Sequence, residues 1–176
     1  GILTQLRCRY FPEIFWIRLK AWVSTCPNSL KSTLGGGNTS KFDDEYHRVY
    51  HAKRHLKVQN DSHKMDNVAG AIGWCMFDYN THKDFGSGDR ICYHGVMDMF
   101  RIPKMAAGVY KSQDDREPYL EVASNLNIGE REAGEIKEVY LLTNVDSVKF
   151  YINEDFIGEF YPSERYAHLP HSPIIV

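Results

Sequence analysis

The stretch from Ala69 to Arg101 constrains this chain more than any other. It opens on Val68 to Phe77, a nearly uncharged run with small residues at Ala69, Gly70, Ala71 and Gly73 that ends in Trp74, Met76 and Phe77. A run apolar on both faces suits a strand buried on both sides, as in a parallel sheet covered by helices. The character then changes: from Asp78 to His94 come Asp78, Tyr79, Asn80, His82, Lys83, Asp84, Asp89, Arg90, Tyr93 and His94, with Gly86 and Gly88 allowing bends. A buried strand that ends in an aromatic and opens into a polar, aromatic loop is how an α/β enzyme builds one wall of a site at a strand's C-terminal end.

The segments around this stretch read as follows. Asp43, Asp44 and Glu45 place negative charge on a first helical turn, and Tyr46, Val49, Tyr50, Lys53 and Leu56 recur at three- and four-residue spacing, which predicts a helix from Asp43 to Gln59. His47, His51 and His55 share its other side at a pitch that could hold a metal. No carboxylate or cysteine joins them, so no metal is expected, and the opposite stripe is taken as the core face. Pro103 suits the first position of a second helix with a narrow stripe of Met105, Ala106, Val109 and Tyr110, ending near Gln113. Helix, buried strand, loop, helix is an α/β order.

Asp114 to Pro118 then reads as a linker, and beyond it the period changes. Tyr119, Leu120 and Val122 open one strand and Val139 to Thr143 forms another. Val148, Phe150 and Ile152 alternate with polar neighbours, and Phe156 to Tyr161 closes a hairpin, with turns at Asn144 to Asp146 and Asn153 to Asp155. Such spacing predicts a small antiparallel sandwich. The tail from His168 to Val176 is expected to begin a strand whose partner lies beyond the chain. Gly1 to Asn38 shows no sustained period and receives no fold.

Composition excludes several classes. The 176 residues, 43% hydrophobic, can bury a core, while a net charge of -2 and a pI near 6.5 make nucleic acid and membrane surfaces poor partners. No apolar run reaches the ~18 residues of a membrane span. The N-terminus does not read as a signal peptide, and the compartment stays open. The chain opens at Gly1 rather than an initiator Met, which allows an upstream portion. Cys8, Cys26, Cys75 and Cys92 have no paired metal-ligand spacing, and Cys75 reads as a small core residue.

Gly73-Trp74-Cys75-Met76-Phe77-Asp78-Tyr79-Asn80, His94-Gly95-Val96-Met97-Asp98 and Pro103-Lys104-Met105-Ala106-Ala107 resemble the last strand, loop and helix of the catalytic barrel of glycoside hydrolase family 2, close to its bacterial β-galactosidases. Asn144, Asp146, Val148, Phe150, Ile152, Asn153 and Gly158 resemble the immunoglobulin-like domain after that barrel. The resemblance covers about Lys41 to Tyr161 and implies an α/β-plus-β chain: the end of a TIM (β/α)8 barrel over residues 41–113, a linker at 114–118, and an immunoglobulin-like β-sandwich over 119–176. Residues 1–40 remain unassigned and depart from the family pattern.

The implied chemistry is that of a retaining glycosidase acting on terminal β-galactosides, with no cofactor and two carboxyls ~5 to 5.5 Å apart. The resemblance also allows a homo-oligomer of the full-length parent. Both catalytic groups are glutamates in the family. The nucleophile belongs to a Glu-Tyr-Gly/Asn-Gly-His motif just ahead of the first helix, yet Lys31 to Lys41 contains no Glu, and Glu13 is the only one before Glu45. No catalytic residue is therefore named. A complete barrel takes about 250 residues, so a C-terminal fragment is expected, with its first ~40 residues foreign or out of frame. A Glu-Tyr-Gly-type motif in another reading frame upstream of Lys41 is the check.

The transferable residues belong to a sugar pocket. Trp74 is by resemblance the aromatic wall for the galactose ring, against the plainer reading of a core tryptophan. Asp78 and Asn80 either bind sugar hydroxyls or cap the loop. His94 is a further candidate, with His82 and Tyr93 beside it. Asp84, Asp89 and Asp98 are loop carboxylates of the kind usually solvated or ion-paired. A non-catalytic carbohydrate-binding module and a structural remnant without ligand stand as alternatives.

Overall fold

The structure, a computed structural model, describes residues 22–23, 39–66, 68–80, 90–124, 126 and 138–176. His82, Asp84, Asp89 and most of the segment 1–38, with Cys8 and Cys26, lie outside the described residues.

Helix α1 spans Glu45–His63. It starts where Asp44 caps it, the carboxylate accepting the His47 N–H at 2.8 Å. It continues four residues past Gln59 because Asn60 and Ser62 are buried, and the Asn60 side-chain oxygen accepts the His168 N–H at 3.1 Å. Its core face is the expected one only in part. Leu56 is buried and Val49 packs against the core, but Tyr46 is 73% exposed, and His51, Ala52 and His55 turn inward instead. The two histidines bury by bonding one another.

Helix α2, Met105–Lys111, is shorter than the sequence suggests, since Pro103 stands outside it in a bridge to Met97 and Lys104 is the cap residue. Its Ala106, Ala107, Gly108 and Val109 are buried. A Cβ on Gly108 would stand 2.8 Å from the Leu142 side chain, so α2 reaches the sheet through a glycine.

Ahead of α1, strand β1 (Trp22–Val23) pairs in parallel with β2 (Ala71–Ile72), so the segment left without a fold contributes a strand. The expected long buried strand is corrected to this two-residue piece. Ile72 is 51% and Trp74 52% exposed, because β2 is covered by α1 on one side while β1 is its one paired strand among the described residues. Strands β3 (Tyr79–Asn80) and β4 (Ile91–Cys92) form a short antiparallel pair.

The β portion has its strands where the period-2 pattern expects them. Strands β5 (Leu120–Val122) and β6 (Tyr140–Thr143) pair antiparallel, and β7 (Val148–Ile152) and β8 (Asp155–Phe160) make a hairpin whose turn holds Asn153 at φ 57°. A short 3-10 turn at Glu164–Tyr166 precedes β9, Ile174–Ile175. Here the tail departs from expectation: β9 finds its partner within the chain, pairing antiparallel with β6 to give the order β5-β6-β9.

Strand β6 is therefore central, and all four of its residues are buried. Tyr140 and Leu142 join a core with Leu56, Ala106 and Val109 of the helices, while Leu141 packs with Val139 and Ile174 against Val148 and Phe160 of the hairpin. The linker is pinned as well. The Asn144 amide donates to the carbonyls of Asp114 (2.6 Å) and Glu117 (2.8 Å), and its oxygen accepts the Tyr119 N–H.

If β9 closes this sheet, Ile174→Ala should cost about 2–5 kcal/mol in urea unfolding, while Ile157→Ala on the exposed hairpin face should stay within about 0.5 kcal/mol. Equal costs for the two would remove β9 from the core.

Candidate functional site

The site is the segment from Gly73 to Asn80 laced to residues 93–104. The Cys75 N–H donates to the His94 carbonyl (3.3 Å), Val96 N–H to Cys75 (3.0 Å), Met97 N–H to Met76 (2.9 Å) and Asp78 N–H to Met97 (2.9 Å). The two stretches lie so close that a Cβ on Gly95 would stand 2.3 Å from the Asp78 nitrogen and 2.4 Å from the Met97 carbonyl oxygen, which only glycine tolerates.

The four candidate residues occupy unlike environments. Trp74, whose bond to Cys75 is cis, is half exposed; its indole N–H donates to the Tyr79 hydroxyl at 3.2 Å and the two rings meet edge to face. Asn80 is exposed at the outer end of β3. His94 is half-buried with Nδ1 2.9 Å from the Cys92 sulfur, and burial first, then Arg54 and Lys104, hold its pKa below the ordinary histidine value. Asp78 is buried: its Oδ1 accepts the Lys104 ammonium at 2.7 Å and the Gly95 N–H at 2.9 Å. Trp74, Asn80 and His94 thus have accessible surface, while the Asp78 carboxylate is engaged inside.

Lys104 is the residue that sequence reasoning missed. Its ammonium donates to the Thr39 carbonyl (2.7 Å), to Asp78 (2.7 Å) and to the Tyr93 carbonyl (3.2 Å), filling its three donors. Burial pushes Lys104 down and Asp78 up, and each partner opposes the other's shift. The available signal was a lysine set between Ile102-Pro103 and Met105-Ala106. Asp98 is tied down separately. Its Oδ1 accepts the Phe100 and Ile102 N–H groups, each at 2.8 Å, its Oδ2 meets Lys41 at 2.8 Å, and the Lys41 ammonium holds its pKa below the usual carboxylate value.

A second buried polar set lies behind Gly73. His55 Nε2 is 3.2 Å from His51 Nε2, His55 Nδ1 is 2.8 Å from the Tyr110 hydroxyl, and Gln59 donates to that hydroxyl at 3.5 Å. Burial lowers the His55 pKa to about 4 and carries His51 well below the ordinary value. His47 turns outward to Asp44. The three histidines of the helix therefore do not converge, and no group of three metal-ligating side chains occurs among the described residues. No helix among the described residues is long and apolar enough to cross a membrane.

No family model matches the chain. A β-galactosidase of Thermoanaerobacterium thermosulfurigenes is 51% identical over 142 residues, covering 78% of this chain and 20% of that protein. A β-galactosidase of Thermoanaerobacter pseudethanolicus is 42% identical over 140 residues, 77% of this chain and 19% of that protein. The chain is a relative of these β-galactosidases and spans about a fifth of their length. The crystal structure of an FMN-binding β-glucuronidase from Facaelibacterium prausnitzii L2-6 superposes with a TM-score of 0.57 at 20% identity, over 80% of this chain and 21% of that one, a likeness of fold.

Two outcomes test this geometry. Lys104→Met leaves the Asp78 carboxylate buried and unpaired, so it should cost about 3–5 kcal/mol, and adding Asp78→Asn should recover most of that; an unrecovered double variant would place the cost elsewhere. Because the folded His55 pKa lies below the unfolded value, the unfolded chain binds the extra proton, and stability should be full above pH 6.5 and fall toward about pH 4. The loss should be about 3 kcal/mol for this residue. It should be absent in His55→Gln, as chemical denaturation at a series of pH values will show.

Proposed function

We propose that this chain carries part of the sugar-binding wall of a β-galactosidase-type retaining glycoside hydrolase, with the half-exposed ring of Trp74 as the platform for the galactose face. The observation that supports it most is the exposure of that ring beside a strand end, on a segment held rigid by Gly95 and Lys104. Names of the relatives point the same way: each is a β-galactosidase. An amphipathic ring with an apolar face suits a sugar whose C–H groups form an apolar patch. His94 and Asn80 flank Trp74 as hydroxyl partners in this reading. Asp78 contributes through Lys104 and Gly95, by fixing the loop that carries them.

In the same reading, residues 41–113 are the end of a (β/α)8 barrel, 114–118 a connection and 119–176 an immunoglobulin-like domain, with residues 1–40 outside the family pattern. The parallel bridge of Phe77 to Met97 supports a barrel-type sheet. The packing of Leu141 against Val148 and Phe160 supports a two-sheet sandwich. Retaining chemistry needs a carboxyl pair ~5 to 5.5 Å apart. Since neither family glutamate is recognisable in this sequence, the chain binds without turning over, and the whole parent is the hydrolase acting on a β-galactoside.

The 176-residue chain should not hydrolyse a chromogenic β-galactoside, yet methyl β-galactoside should bind it, and Trp74→Ala should weaken binding about tenfold. Turnover abolished by Trp74→Ala would overturn the fragment reading. Binding indifferent to Trp74 would overturn the platform. Sugar binding without any turnover in the full-length parent would favour a carbohydrate-binding module.

A further inference from the structure

Trp74 has few contacts of its own, a half-exposed ring and one indole bond to Tyr79. The backbone just ahead of it is gripped by both helices. Gln59 of α1 donates its amide to the Ala71 carbonyl at 3.3 Å. Gly73 lies so close to Tyr110 of α2 that an added Cβ would stand 2.4 Å from the phenolic oxygen and 3.4 Å from two atoms of the His55 ring. Tyr110 cannot withdraw freely, since His55 Nδ1 (2.8 Å) and the Gln59 amide (3.5 Å) both hold its hydroxyl, and His55 is backed by His51 at 3.2 Å.

We propose that Gln59, His51, His55 and Tyr110 are positioning residues, a clamp between α1 and α2 that sets the height of Gly73 and thereby the presentation of the Trp74 ring. The use of that ring on sugar rests on the function proposed above; the clamp itself does not. One set of neutral tautomers satisfies the chain: Gln59 N–H to the Tyr110 oxygen, Tyr110 O–H to His55 Nδ1, and His55 Nε2–H to His51 Nε2. A proton added to His51 leaves two N–H donors facing each other at 3.2 Å, so the chain holds only while the pair is neutral. The groups bearing on the pair reinforce this. Arg54 on α1 and Lys104 at the cap of α2 are cations, His94 comes from the loop, and Tyr110 is a neutral phenol. Acid should therefore loosen Trp74 from beneath, although among the described residues the titratable group against its ring is Tyr79.

The test is the indole N–H resonance of Trp74 in the nitrogen-15-labelled full chain, assigned by its loss in Trp74→Phe. Tyr110→Phe, which keeps the ring and removes the hydroxyl, should shift that resonance at pH 7, and Lys149→Ala on the distant hairpin should not. In the unsubstituted chain the indole should titrate together with the His55 ring, with a midpoint near pH 4, and the titration should vanish in Tyr110→Phe. An indole resonance that ignores Tyr110→Phe, or stays flat while the His55 ring titrates, overturns the clamp. Should Tyr110→Phe fail to fold, or acid unfold the chain first, His55→Gln and Gln59→Leu at pH 7 decide the same point. Methyl β-galactoside separates the two readings. Clamp variants that move the indole should also weaken sugar binding about tenfold, the scale of one or two lost hydrogen bonds. An indole coupled to Tyr110 but never shifted by sugar leaves the clamp standing and removes the platform.

Discussion

The ammonium of Lys104 gathers three separate stretches of the chain at one buried point. Its three donors reach Thr39 ahead of α1, Asp78 after the Trp74 segment and Tyr93 in the returning loop, while its own backbone caps α2. An isolated buried ammonium costs several kcal/mol, and so does an isolated buried carboxylate. Each is tolerable here because the other is present and the remaining donors and acceptors are filled. Neither an apolar residue nor a surface ion pair would specify the same geometry. An apolar side chain would leave the buried Asp78 charge without a cation and take a donor from two carbonyls, and a pair in water would add little.

From that point the fold extends in layers through β6. Its Tyr140 and Leu142 face the helices and its Leu141 faces the hairpin, so one four-residue strand belongs to two cores. The α/β and β portions are consequently joined through packing as well as sequence. Gly108 lets α2 approach Leu142, and Asn144 bonds the connection at Asp114 and Glu117 back to the start of β5. A stretch that reads as a charged linker is thus a fixed turn, because one amide side chain satisfies three of its backbone groups.

What was legible follows from whether a residue's role is set by its neighbours in sequence. Strands β5 to β8 and the Asn153 turn were readable because alternation and turn chemistry are local. The end of α1 was not, since Asn60 is kept helical by a bond to His168, 108 residues away. Leu56 and Val49 of its expected inner stripe do meet the core, but His51 and His55 join them through each other and through Tyr110, which no helical period reveals. Strand β9 is two residues long beside two prolines, and its partner β6 is recognisable only in space. At the candidate site, the lock between Asp78 and Lys104 was not legible, since its partners are 26 positions apart and meet only in space.

The disposition of the carboxylates bears on how such a segment can work. A retaining hydrolase needs two carboxyls that face the substrate and exchange roles between nucleophile and acid. Among the described residues, Asp78 is enclosed with Lys104, Asp98 is engaged by Lys41 and two turn amides, Glu45 accepts the Ser124 hydroxyl and Glu121 accepts that of Tyr119. Each stabilises the scaffold through its charge, and a carboxylate bound in this way cannot attack an anomeric carbon without releasing what it holds. An aromatic platform has the opposite requirement. It gains from a backbone that does not move, since dispersion contact with a sugar face falls off within an ångström of misplacement. A carboxylate buried against Lys104, four residues after Trp74, is therefore suited to holding a wall rather than to reacting, and Asp78 and Asp98 both hold the chain in this way.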